Sequence, residues 1–323
     1  MERRILLAAF GVVLLWTTAA APQSFPSRPV KLVMTFAAGG PADLFTHVLA
    51  NDMNQDLGQQ VFVEIHAGAG GMTGVDYAAK SSPDGYTICF PGAASLTTIP
   101  FMVDKMPYDW QKDLSLLTTA VRVPQAIVVS PSLGVDTLPA LVDYARAHPG
   151  KINVGSAGAG TITHLGVELL KGEARIDMVH VPYRGVALAM TDLLGGQIQM
   201  MLADVPILLP QIKSGAIKAL AVTSAARIPA LPDVPTTAEA GYPRVISDNW
   251  YGLVAPAGVP ADALERLRHA ATTALNSDDL KKQYATFSAT PFPQTPQQFR
   301  DYILAEQAKW EPIVRKTGVK LEQ

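Results

Sequence analysis

The chain has 323 residues, 48% hydrophobic and 17% charged, a composition typical of globular proteins and sufficient for one large domain or two ordinary ones. Its formal net charge of -2 gives no electrostatic case for binding nucleic acid or an anionic membrane surface. The single cysteine, Cys89, excludes an intrachain disulfide, and its apolar, strand-like segment favours a packed core thiol over a nucleophile.

Residues 1–21 have the pattern of a secretory signal peptide. Arg3 and Arg4 precede an apolar run at 5–16, and small residues at 18–21 resemble a cleavage site. The run is short for a membrane span, although an uncleaved anchor is the alternative. We expect cleavage near residue 20 or 21 and a soluble mature protein exported to the periplasm.

The first predicted strand and helix are joined by a glycine turn. Residues 30–34 form an apolar run that predicts a buried strand, and an apolar helical face follows from residue 44. Gly39 and Gly40 permit a tight turn, and Pro41 suits the first position of a helix. Such a turn gathers unpaired N–H groups and the positive end of a helix dipole, which favours an anion such as a carboxylate. The alternative is a Gly-Gly pair that only reverses the chain.

Two more strands are predicted in this half, and each precedes a loop. Residues 61–65 and 86–90 predict the strands, with another glycine-containing loop at 66–72 and a further loop at 91–95. Alternating strands and helices indicate a parallel sheet covered by helices on both faces. Ligands bind such sheets beyond the carboxyl ends of the strands, so the three loops are expected along one edge.

The order of strand, glycine loop and helix returns in the second half. A strand at 152–154 leads into the loop at 155–163, where Ser156 and Thr161 add hydroxyl groups that a turn alone does not require. Helix capping would also explain Thr161. The other strands predicted here cover residues 125–130, 178–182, 198–202 and 219–223.

The last third of the chain is predicted to cross back to the first half through a strand at 250–256, followed by three helices. We therefore expect an α/β protein of two Rossmann-like lobes joined by two hinge crossings. The predicted boundaries are residues 26–123 and 249–323 for lobe 1 and residues 124–248 for lobe 2.

Templates for nucleotide binding and catalysis are not met. Thr73 and Thr163 stand where the dinucleotide motif requires glycine, and Thr161 stands where a Walker loop requires lysine. No G-x-S-x-G motif occurs, and the six histidines lack metal-ligand spacing. Ser156 with His164 is the one pair worth considering for nucleophilic catalysis, and a structural role for this histidine is favoured. Neither a cofactor nor a metal site is predicted.

Several segments, in order, resemble the signature motifs of the Bug receptors, also called TctC-like solute receptors of tripartite tricarboxylate transporters. They are FAAGGPAD (36–43), GAGG (68–71), SPDGYT (82–87), GSAGAGT (155–161), VHVPYRG (179–185), LAVTS (220–224) and LPDVPT (231–236). The resemblance runs from about residue 26 to the C-terminus.

The resemblance implies a type II periplasmic binding protein that closes around an organic carboxylate and is not an enzyme. It implies delivery of the ligand to a permease with a large and a small integral membrane subunit. Family ligands include di- and tricarboxylates, aromatic acids such as terephthalate, and acidic amino acids. A monomer without a cofactor is expected. The alternatives are a ligand sensor feeding a two-component system, or a periplasmic serine hydrolase.

By the positions of its motifs, the resemblance implies a ligand site built from the first glycine loop and from the loop at 155–163. The expected ligand-binding residues are Thr35, Phe36, Ala37, Ala38, Gly39, Gly40, Asp43, Ser95, Ser156, Ala157, Gly158, Thr161, Tyr183 and Asp204. Thr35 departs from the proline usual in the family. Asp204 would repel a bound carboxylate, so direct contact with that group is not expected. Arg184 would pair with a ligand carboxylate or else lie exposed in a turn.

Overall fold

The computed structural model describes residues 25–321, in which strands and helices alternate. The signal peptide predicted at 1–21 lies outside the described residues. The strands are β1 (Val30–Met34), β2 (Val61–Ile65), β3 (Thr87–Phe90), β4 (Leu114–Val123), β5 (Gln125–Val129), β6 (Asn153–Ser156), β7 (Val179–Pro182), β8 (Met200–Asp204), β9 (Lys218–Val222), β10 (Asn249–Pro256) and β11 (Thr290–Pro291).

The helices pack against both faces of the sheets. Within residues 25–321 no helix has the length and hydropathy to cross a bilayer. They are α1 (Pro41–Leu57), α2 (Met72–Ala79), α3 (Ala93–Thr97), α4 (Leu138–Ala147), α5 (Ile162–Ala174), α6 (Val186–Leu194), α7 (Val205–Lys213), α8 (Ala261–Asn276), α9 (Asp278–Thr286) and α10 (Pro296–Thr317).

The strands form two sheets, each the centre of one lobe. The first lobe has the strand order β11-β4-β10-β3-β1-β2, and the second has β7-β6-β8-β5-β9. The chain enters the second sheet between β4 and β5 and returns to the first between β9 and β10. The predicted α/β fold with two lobes is therefore confirmed.

Both sheets are mixed, so the prediction of parallel sheets is wrong in part. β1 runs parallel to β2 and β3, and β6 runs parallel to β7 and β8. β10 is antiparallel to β3 and β4, and β5 is antiparallel to β8 and β9. β5 and β10 are the strands that follow the two crossings. They enter their sheets directly from the other lobe, without the helical crossover that makes neighbouring strands parallel.

The loop predicted at 91–95 is wrong for its last three residues, because α3 begins at Ala93. All five residues of α3 are buried, an environment in which a polar loop would leave its backbone groups unpaired. No strand was predicted at β4. β8 extends two residues beyond the predicted end, which makes Asp204 its last residue.

One apolar cluster joins the lobes. Ile162 and Leu165 of α5 are buried in the same cluster as Phe299, Ile303 and Trp310 of α10. α5 therefore begins within the core of the first lobe although it follows a strand of the second sheet. This packing places the second glycine loop, which directly precedes α5, against the first lobe.

Helix α2 lies close to both glycine loops of the first lobe. A Cβ atom added at Gly74 would lie 2.8 Å from the His66 carbonyl oxygen and 2.9 Å from Thr35 Cγ2. Glycine is required here by the close approach of two backbone segments. The loop ends at residues 35 and 66 are thereby held against the same face of α2.

We expect Gly74→Ala to lower the free energy of unfolding by about 1–3 kcal/mol, because the added methyl group overpacks a backbone that cannot move away. The matched control is Gly172→Ala in α5, where the nearest atom to an added Cβ is Lys316 Nζ at 3.7 Å. That substitution should be neutral or stabilising by up to about 1 kcal/mol. Urea unfolding of both variants checks the prediction, and equal midpoints would contradict it.

Candidate functional site

The first glycine loop, residues 35–40, connects β1 to α1 and exposes its middle to solvent. Its Gly39 N–H donates to the Asp43 carboxylate at 2.9 Å. The other oxygen of Asp43 lies 3.3 Å from His47 Nε2. The loop therefore already binds a carboxylate, supplied by its own chain. Asp43, predicted to face the ligand, holds the loop in this structure.

Phe36 connects this loop to the return strand β10. Its half-buried ring packs edge-to-face against Tyr251, with centroids 6.1 Å apart. Ala37 and Ala38 are exposed and carry no polar side chain. The surface that this loop offers a ligand is thus backbone, methyl groups and one aromatic ring.

Two hydroxyl groups predicted for ligand binding are buried and already bonded. Thr35 Oγ1 donates to the Phe90 carbonyl at 3.3 Å, and Ser95 Oγ donates to the Gly92 carbonyl at 2.8 Å. The Ser95 carbonyl in turn accepts a bond from the Tyr108 hydroxyl at 2.7 Å. Both side chains fix the backbone near the loops.

The second glycine loop, residues 155–161, runs from β6 to α5. Thr161 is the N-cap residue of α5, as the capping interpretation predicted, and its hydroxyl donates to the Gly158 carbonyl at 2.7 Å. Thr163 Oγ1 accepts the Ala157 N–H at 3.0 Å. These hydroxyls hold the loop at its helix end.

Two histidines lie behind this loop, and the pairing of Ser156 with His164 is wrong. Ser156 Oγ lies 2.6 Å from His180 Nε2, whereas His164 Nδ1 accepts the Gly160 N–H at 3.1 Å. The rings stack with centroids 3.7 Å apart. Burial, then the charge of Lys171, lowers the pKa of His164 to about 4. Burial, then His164, lowers the pKa of His180 to about 3, so both rings are neutral at pH 7.

Tyr183 adjoins the loop through its backbone. Its N–H donates to the Ser156 carbonyl at 3.2 Å, while its hydroxyl donates to Asp192 of α6 at 2.6 Å. A Cβ atom at Gly158 would lie 3.3 Å from the Tyr183 carbonyl oxygen. Arg184, next in the chain, is exposed.

Asp204 lies where the two crossings meet. It is 3% exposed, and its carboxylate accepts bonds from Gln125 Nε2 at 2.9 Å and from Asn249 Nδ2 at 3.0 Å. Gln125 begins β5 and Asn249 begins β10. Ser247 and Tyr251 extend the network through hydrogen bonds to Gln125 and Asn249. Burial raises the pKa of Asp204 to about 6 despite these bonds.

The second glycine loop also contacts the first lobe directly. The Thr98 hydroxyl donates to the Gly160 carbonyl at 2.9 Å. A Cβ atom at Gly160 would lie 2.6 Å from Met102 Sδ and 3.4 Å from Leu321 Cδ1. The segment that directly follows α3 in the first lobe thus contacts the second glycine loop.

Sequence analysis missed Gln125, Asn249 and His180. His180 is a polar residue within an otherwise apolar strand, and Gln125 and Asn249 are the first residues of apolar strands. For metal binding, the described part of the chain contains no group of three or more His, Cys, Asp and Glu side chains that would hold an ion.

The fold of two lobes is the one that solved periplasmic binding proteins of this type share. The chain belongs to the TctC family, described as tripartite tricarboxylate transporter family receptor, whose model matches residues 45–319. Protein BugT of Bordetella pertussis is 36% identical over 328 residues, which cover 100% of both chains. This family and its structural neighbours are binding proteins, and the chain is not an enzyme.

Two solved structures were determined with a carboxylate present. R. palustris Rpa4515 with adipate is 31% identical at a TM-score of 0.87, covering 91% of this chain and 98% of that one. MatC (Rpa3494) from Rhodopseudomonas palustris with bound malate is 28% identical at a TM-score of 0.82, covering 90% of this chain and 100% of that one.

Asp204→Asn tests whether burial raises the pKa of the Asp204 carboxylate. The folded chain holds the pKa of Asp204 at about 6, above the ordinary 3.8, so the folded state keeps a proton that the unfolded state releases between these values. Asp204 should therefore remove about 3 kcal/mol of stability as the pH rises from about 3.5 to about 7. The asparagine variant lacks this loss. Over this pH range, its free energy of unfolding should therefore rise by about 3 kcal/mol relative to that of the unaltered chain.

The measurement is urea unfolding of both chains at several pH values across this range. Groups that do not interact with Asp204, including the two buried histidines, contribute equally to both chains and cancel in the difference. Asp248, whose pKa is raised mainly by burial and also by the charge of Asp204, adds a smaller contribution. A difference that does not change with pH would show that Asp204 titrates normally in the folded chain.

Proposed function

We propose that the chain is a periplasmic receptor that captures an organic dicarboxylate between its lobes and delivers it to the permease of a tripartite tricarboxylate transporter. Family membership and the adipate and malate of the two structural neighbours support this ligand class. The observation that carries the proposal is the Gly39 N–H, which holds the carboxylate of Asp43 on an exposed loop. A free carboxylate is the ligand that such a loop suits best.

Export and closure complete the proposal. Residues 1–21 serve as the signal peptide, and the mature chain works as a monomer in the periplasm. Lobe 1 comprises residues 26–123 and 249–323, and lobe 2 comprises residues 124–248. The lobes rotate about the two crossings, and ligand binding selects the closed form that the two membrane subunits of the permease recognise.

Backbone amides rather than hydroxyl groups are proposed to contact the ligand. The side chains of Thr35, Ser95, Thr161 and Tyr183 already have partners within the chain. The proposed contact surface is the backbone of residues 37–40 in the first lobe and of Ala157 and Gly158 in the second, with Phe36 as an apolar wall. The N–H groups of Gly39, Ala157 and Gly158 are held by Asp43, Thr163 and Ser156, so a ligand contacts them by sharing or replacing these partners. Ser156 and Asp204 support this surface from behind.

Thermal shifts against a panel of acids test the ligand class. The panel holds citrate, C4 to C8 dicarboxylates including malate and adipate, aspartate, glutamate, nicotinate, benzoate and terephthalate, added to the chain from residue 22 onwards. An acid at 100 times its dissociation constant should stabilise the folded chain by about 2.7 kcal/mol. A dicarboxylate with the largest shift supports the proposal, and a silent panel would overturn it.

Gly40→Ala tests contact with the backbone of the first loop. Gly40 has a φ of -95°, which alanine adopts, and the nearest atom to an added Cβ is the Ala37 oxygen at 3.8 Å. The chain should fold, with a loss of about 1 kcal/mol from poorer helix capping. The methyl group should nevertheless weaken dicarboxylate binding about tenfold or more, because it keeps the ligand from the amides.

Calorimetric titration with the acid that gives the largest thermal shift measures the effect of Gly40→Ala. Gly172→Ala, the same substitution on the far part of α5, is the control and should bind normally. Unchanged affinity in Gly40→Ala would place the ligand elsewhere.

A further inference from the structure

The stacked histidines behind the second glycine loop have no part in the proposed ligand contacts. His164 is 2% exposed and His180 is half-buried, and their rings lie nearly parallel at an angle of 13°. The two rings come from different elements, α5 and β7. They meet below the loop that joins β6 to α5.

Each histidine holds one end of the loop. His180 Nε2 contacts Ser156 Oγ, and that oxygen accepts the Gly158 N–H at 3.2 Å. His164 Nδ1 accepts the Gly160 N–H at 3.1 Å. Two glycine amides in a stretch of three residues therefore have their orientation set by the histidines, one directly and one through a serine.

The Gly160 bond defines the tautomer of His164. Nδ1 accepts an N–H, so it carries no proton, and the ring proton lies on Nε2. Nε2 lies 3.9 Å from Glu168 Oε1, and that carboxylate is paired with Lys171 at 2.7 Å. The ring thus has a fixed direction, with an acceptor toward the loop and a donor toward α5.

We propose that His164 and His180 are positioning residues of the carboxylate site, which fix the loop at 156–160 so that its backbone faces the ligand. The inference rests on the proposed function. A glycine-rich loop has large conformational freedom, which ligand binding would otherwise have to remove. The stacked pair removes that freedom before the ligand arrives. Burial of both rings, which lowers the pKa of each, keeps them in the neutral form that this geometry needs.

Pairs of amide variants separate the position of the polar atom from the loss of the ring. Asparagine at 164 places an oxygen near the former Nδ1, and glutamine at 180 places its amide near the former Nε2. His164→Asn and His180→Gln therefore preserve the loop bonds. The exchanged variants, His164→Gln and His180→Asn, have the same chemistry with the polar atom at the wrong distance.

The first measurement needs no ligand. Amide hydrogen exchange of Gly158 and Gly160 is followed by NMR in the unaltered chain and the four variants, with Leu32 in β1 as the internal control. His164→Gln should raise the exchange rate of Gly160 about tenfold, as expected when a buried amide loses its partner. His180→Asn should raise the exchange rate of Gly158, because the Ser156 hydroxyl that accepts this N–H loses its own partner. Both variants should leave Leu32 unchanged. Equal rates in all five chains would overturn the proposal.

The second measurement is the dissociation constant for adipate, or for the panel acid with the largest thermal shift. The exchanged variants should bind about tenfold more weakly, and the preserving variants should bind within about threefold of the unaltered chain. Equal weakening in both pairs would overturn the proposal, because ring loss alone would then explain the effect. If the unaltered chain binds no acid, the proposed function fails, and the exchange rates still decide whether the histidines fix the loop.

Discussion

The buried carboxylate of Asp204 connects the two crossings on which the arrangement of the lobes depends. A charge removed from water is unfavourable unless hydrogen bonds replace its solvation. Here the amides of Gln125 and Asn249 provide those bonds, and each belongs to a strand that follows one crossing. The carboxylate therefore joins the two crossing strands at the point about which the lobes are proposed to rotate.

The two glycine loops present backbone amides by different means. In the first loop an anion of the chain, Asp43, holds the Gly39 N–H. In the second loop a neutral ring, His164, holds the Gly160 N–H. An internal carboxylate competes with an incoming one, whereas a neutral ring adds no charge to the site. The first loop is therefore expected to rearrange when a carboxylate binds, and the second to be preorganised.

Local sequence signals were sufficient for most elements of the fold. The run at 30–34, Gly39 and Pro41 together predicted β1, the turn and α1, and the structure confirms them. The direction of β5 and β10 was not predictable in this way, because it depends on connections between sheets rather than on apolar periodicity. α3 was missed because its five residues are too few to display a helical period.

The site was predictable at the level of loops and much less at the level of side chains. Glycine spacing locates a turn, but the direction of a hydroxyl depends on partners that are distant in the sequence. Ser156 contacts His180, 24 residues away, and Thr35 contacts Phe90, 55 residues away. The polar groups of a motif that indicates a ligand loop are therefore satisfied in part by residues outside that motif. For this chain the distinction matters, because the hydroxyls with partners are structural. The backbone, exposed at residues 37–39 and half-exposed at 157–159, is what remains to bind a ligand.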